Sequence, residues 1–76
     1  MSARTIEIVA GEGTVGRVAT YRGAPTARAL RARLTRERCG GDRWARVQIR
    51  HASGASEECG VEDAVAVLRT LAEVSS

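Results

Sequence analysis

The 76-residue sequence contains no lysine, no phenylalanine and no asparagine, and only one proline, one tryptophan and one tyrosine. With so few rings the core must be built from Val, Ile, Leu and Ala, whose volume in one small domain argues against a roomy buried active site. All 12 basic residues are arginine. The missing residues share AT-rich codons, so a GC-rich genome accounts for arginine over lysine without any demand for guanidinium chemistry. No apolar run is long enough for a signal peptide or a membrane span, so a cytoplasmic protein with no membrane partner is expected. Two cysteines are too few for a disulfide scaffold, and Cys39 and Cys59 are expected as thiols, with Cys39 filling space at a helix end. Together with His51 they are one ligand short of a structural zinc site and lack close spacing, so neither a metal nor another cofactor is expected.

What is present is unevenly charged. Residues 1–50 hold eleven arginines against four acids, +7, whereas residues 51–76 hold Arg69 against five acids, −4. A basic surface for an anionic partner, nucleic acid or an acidic protein, is one reading of that split; a solvated face is the other.

The clearest pattern is the alternation in Arg43 to Ala52, RWARVQIRHA. Successive side chains of a strand point to opposite faces, so Ala45, Val47 and Ile49 suit a core while Trp44, Arg46, Gln48 and Arg50 form a polar face. Thr5 to Ala10 and Thr14 to Arg22 read as two further strands joined through Gly11-Glu12-Gly13. A three-residue loop sets Ile6 opposite Val18 and Glu7 opposite Arg17, and turns Arg17 and Tyr21 away from the core; it is preferred to a two-residue loop, which puts Arg17 opposite Ile8 on the core side. GEGTVG at Gly11 to Gly16 is also a literal G-x-G-x-x-G, but a strand follows it where a dinucleotide site needs a helix.

Pro25 to Arg38 carries helix punctuation, proline in the first turn and Gly40-Gly41 beyond the end. Ala27, Leu30 and Leu34 make a narrow apolar stripe, with Arg28, Arg33 and Arg36 on the opposite side. After the central strand, Ser56 to Cys59 returns as a short strand, with Arg50 facing Glu58 if the loop has three residues. Val61 to Val74 is a second amphipathic helix with Glu62 and Asp63 in its first turn. The expected fold is α+β: one domain over residues 1–76, in ββαββα order, with an antiparallel sheet ordered 2-1-3-4 and both helices on one face.

No catalytic constellation stands out. His51, Ser53 and Asp63 lack a nucleophile elbow and an oxyanion loop, so the chain is read as non-enzymatic. The candidate partner-binding residues are Trp44, Arg46, Arg50, Arg17 and Tyr21 on the open sheet face and Arg28, Arg33 and Arg36 on the first helix. Rings among arginines on an uncovered sheet suit stacked bases and phosphates, but Trp and Arg also dominate protein interfaces. A third reading packs Trp44 under a loop.

The run Ala27 to Arg50, ARALRARLTRERCGGDRWARVQIR, preceded by a β-hairpin, resembles the pattern of some small phage-encoded anti-CRISPR proteins: hairpin, basic helix ending in Cys, strand. The likeness spans about two thirds of the chain, carries no residue-level motif, and is broken by the acidic C-terminal helix. It implies an inhibitor in a bacterial host cell that binds a type I CRISPR surveillance complex (Cascade) and blocks target DNA binding. The alternative is a small basic protein that binds RNA or DNA directly. In either case a monomer or a weak dimer is expected.

Overall fold

The computed structural model describes residues 4–75, apart from the side chains of residues 74 and 75. Two strands come first, β1 (Thr5–Glu12) and β2 (Val15–Thr20), followed by helix α1 (Ala27–Glu37). Strands β3 (Arg43–Arg50) and β4 (Ser56–Cys59) and helix α2 (Val61–Ser75) complete the chain. All strand pairs are antiparallel and the sheet order is β2-β1-β3-β4, as the alternation and the crossing helix predict.

The central pair is β1 with β3, and it places Ile6 opposite Ile49, Ile8 opposite Val47 and Ala10 opposite Ala45. These six residues form the floor of the core, and the helices lay Leu30, Leu34, Ala64, Val65 and Val67 on them. Ile6, Ile8 and Leu30 are the largest fully buried side chains. Burying such a side chain contributes about 1.5–3 kcal/mol, so this one layer accounts for much of the driving force. Thr26 caps α1, its hydroxyl accepting from the Ala29 amide at 3.2 Å, so Pro25 precedes the cap instead of sitting in the first turn. At the other end the Arg38 guanidinium donates to the Ala45 carbonyl from Nε (3.1 Å) and Nη2 (2.8 Å), pinning the helix exit to β3. Cys39 is exposed beyond this exit and fills no space, whereas Cys59 packs on the core.

The β1–β2 register departs from expectation. β1 runs on through Gly11 and Glu12, the turn is Gly13-Thr14, and Gly11 lies opposite Gly16 and Val9 opposite Val18. Gly13 has φ +61°, which suits the first central position of a two-residue hairpin turn. Relative to the expected pairing β2 has slipped by three residues, an odd number, which turns every β2 side chain to the other face. Arg17 therefore stands on the helix side, opposite Ala10, and Tyr21 enters the core at 6% exposure. The Tyr21 hydroxyl donates to the Ala24 carbonyl at 2.9 Å, giving the buried phenol a partner. The β3–β4 pairing slips by an even number, Arg50 meeting Ser56 and Gln48 meeting Glu58, so its faces are as expected. Among the described residues no helix is long and apolar enough to cross a membrane.

The open sheet face as candidate functional site

Opposite the helices the sheet presents side chains in rows that follow from the register. Trp44, Gly11 and Gly16 make one row; Arg46, Val9 and Val18 the next; Glu58, Gln48, Glu7 and Thr20 a third; Ser56, Arg50 and Thr5 a fourth. The expected parity of β3 is thus observed, and Trp44, Arg46 and Arg50 share a face.

The tryptophan is fixed in place. Its ring lies over the two glycines: a Cβ on Gly16 would fall 2.8 Å from Cη2, and one on Gly11 would fall 2.8 Å from Cζ2. Its Nε1 donates to the Gly13 carbonyl at 2.9 Å, tying β3 to the hairpin turn. The Arg46 guanidinium lies over the ring, 5.2 Å from the centroid, a cation–π contact worth about 0.5–1 kcal/mol at an exposed site. One side of the indole is therefore seated on backbone and the other is covered by Arg46.

The arginines of this face are already matched by carboxylates. Arg46 pairs with Glu58 at 3.7 Å and Arg50 with Glu7 at 3.1 Å, while Arg50 also donates to the Gly54 carbonyl at 2.9 Å. Gln48 donates to the same Glu7 oxygen at 2.8 Å. The hydrogen bond from Gln48 is the largest influence on Glu7 and lowers its pKa; partial desolvation opposes it, and Arg50 lowers it further. A depressed carboxylate stabilises the fold above its unfolded pKa and ceases to do so as pH falls through the folded value. In carboxyl-detected NMR Glu7 should titrate below the ordinary glutamate value, and Gln48→Leu should move it upward. The same change should shrink the acid-side loss of stability, and an unmoved Glu7 titration would remove Gln48 as the cause.

Away from this face, Arg31 of α1 pairs with Glu62 of α2, and Arg33 pairs with Glu37 at 3.6 Å. Arg17, Arg22, Arg28, Arg36 and Arg43 have no carboxylate partner among the described residues. The eight expected contact residues thus divide: Trp44, Arg46 and Arg50 on the open face, Arg28, Arg33 and Arg36 on α1, Arg17 on the helix side of β2, and Tyr21 in the core. Arg17 and Arg43 border an open depression of ≈ 500 Å³ with Glu12 and Val15, and Arg33 and Arg36 border another of ≈ 530 Å³ beside Tyr21. The structure adds Val18 to the open face, where it lies opposite Val9 of β1 instead of opposite Ile6.

The remaining chemistry-bearing groups are modest. His51 Nε2 lies 3.3 Å from Glu57 Oε1. Burial pushes the Cys59 thiol pKa up, and Asp63, Glu57 and Glu58 add to the effect, so it stays protonated and unreactive at neutral pH. Among the described residues no cluster of His, Cys, Asp and Glu is arranged to hold a metal ion. G-x-G-x-x-G is a hairpin whose outer glycines seat an indole. Comparison with protein-family models, with curated proteins and with solved structures returned no match.

Proposed function

We propose that this chain is a non-enzymatic binding protein that meets a protein surface through its open sheet face. Its more specific form is an anti-CRISPR-like inhibitor, in a bacterial host cell, that binds a type I CRISPR surveillance complex and blocks target DNA binding. The observation that carries the first statement is the condition of the face: its ring is seated and covered, and Arg46 and Arg50 are balanced by Glu58 and Glu7. A base would have to displace Arg46 to stack on Trp44, and a phosphate would have to compete with carboxylates already in place. A rigid, charge-balanced face with an aromatic anchor and the half-exposed Val18 instead suits a protein, where preorganised side chains limit the entropy lost on association. The surveillance complex as target comes from the resemblance of Ala27 to Arg50 alone.

The second reading, direct binding of RNA or DNA, is favoured by one observation, that Arg17, Arg22, Arg28, Arg36 and Arg43 are among the arginines with no carboxylate partner among the described residues. The two are separated by adding the purified chain to a purified type I complex and measuring target-DNA binding. Inhibition that survives moderate salt supports the first reading, and Arg46→Ala should weaken it by about 2 kcal/mol, roughly thirtyfold. Tight binding to naked oligonucleotides with a steep salt dependence, and no effect on the complex, would establish the second.

A further inference from the structure

The two edges of the sheet are built differently. β4, on one side, is four residues long and carries Glu57 and Glu58, the short charged form with which proteins discourage pairing at an edge. β2, on the other, has six residues, no proline, an unbroken register and one charge, Arg17. Every residue of it is exposed, including Val15 at 75% and Val18 at 50%.

Its backbone faces outward in a defined way. The Tyr21 amide donates to the Ile6 carbonyl at 2.8 Å, so Tyr21 turns its peptide groups toward β1, and by the two-residue period Ala19, Arg17 and Val15 do the same. The N–H and C=O groups of Gly16, Val18 and Thr20 consequently point away from the sheet, and no described residue pairs with them.

From this edge we infer that the chain forms a two-fold symmetric dimer in which β2 pairs antiparallel with β2 of a second copy, joining the sheets into one of eight strands. The sequence of β2 selects the register. With Val18 opposite the partner's Val18, Gly16 meets the partner's Thr20 and Thr20 the partner's Gly16, so the outward-facing groups of all these residues exchange hydrogen bonds. Arg17 then lies opposite the partner's Ala19. A shift by two residues one way would set Arg17 against the partner's Arg17, like charges directly opposed, and a shift the other way carries Gly16 beyond the end of the partner's strand. The chosen register also continues the row of Val9 and Val18 into the same row of the partner, covering the most exposed valine of the open face. A strand so matched to its own reverse fits a second copy of itself better than an unrelated peptide. This holds whatever the target of the open face proves to be.

Sedimentation equilibrium of the whole chain tests it. The expected result is a reversible monomer–dimer equilibrium between micromolar and millimolar protein. Val18→Lys, which opposes two ammonium groups at the two-fold axis, should raise the dissociation constant by roughly tenfold or more. Hydrogen exchange on the unaltered chain provides a measurement that needs no variant. Protection of the Gly16, Val18 and Thr20 amides should grow with protein concentration while that of Arg17 and Ala19 stays constant. A chain that remains monomeric at millimolar concentration, or a dimer whose concentration-dependent protection falls elsewhere, would overturn the inference.

Discussion

Val47→Asp should unfold the domain at neutral pH. Val47 is 3% exposed, opposite Ile8 on one side and Cys59 on the other, and no cation lies on that face of the sheet within the core cluster. An unpaired carboxylate there meets a desolvation cost of several kcal/mol, against a total stability of roughly 4–11 kcal/mol for a domain of this length. The pH dependence has a definite sign. A carboxyl whose folded pKa is raised destabilises most above that value, and the loss is relieved as pH falls and the group protonates. Circular dichroism should show an unfolded chain at pH 7 that recovers structure toward pH 4; a native-like spectrum at pH 7 would mean that Val47 is not core.

The second large effect concerns the glycines beneath Trp44, which should respond differently to the same methyl group. A Cβ on Gly11 would fall 2.1 Å from the Val15 carbonyl oxygen and 2.7 Å from the Gly16 Cα, backbone atoms that cannot swing aside. Gly11→Ala should therefore cost about 3 kcal/mol, at the upper end for overpacking, whether or not Trp44 is present. On Gly16 the two closest atoms both belong to the indole, at 2.8 and 3.0 Å, and the next is Ala10 oxygen at 3.5 Å, an ordinary contact. Gly16→Ala should be destabilising in the parent chain and near neutral in a Trp44→Ala background. Urea denaturation of the four-variant cycle should thus give a coupling of about 1–2 kcal/mol for Gly16 with Trp44 and little for Gly11 with Trp44. Trp44→Ala alone should cost about 2 kcal/mol, less than a fully buried ring, because it frees the Gly13 carbonyl and uncovers the glycines. The indole thus serves the fold as well as any partner, and an unchanged stability would return it to the surface.

The parity of β3 was legible because alternation over eight residues admits one buried set, and the 2-1-3-4 order followed from hairpins joined by a crossing helix. The β1–β2 register was not. GEG permits several tight turns, and the selection rests on a distant residue: Trp44 needs glycine at both Gly11 and Gly16, which become partners only when the turn falls at Gly13-Thr14. That odd slip carried Tyr21 into the core, against the expected outward placement beside Arg17. The charge balance of the open face was equally hidden. Glu7 meets Gln48 and Arg50 only through the β1–β3 register, so counts of arginine along the chain gave a basic strip where the folded face pairs each guanidinium.

The order of strands in space also sets an order in time. β1 is made first, yet its main partner, β3, is separated from it by all of β2 and α1, so the apolar side of Ile6 and Ile8 waits for a long loop to close. Until β3 is made, β1 can pair only with β2, and the correct register of that hairpin depends on an indole that the ribosome has not yet added. Closure of the β1–β3 pair is therefore the step that selects among hairpin registers, and folding should be limited by that distant meeting instead of by either helix.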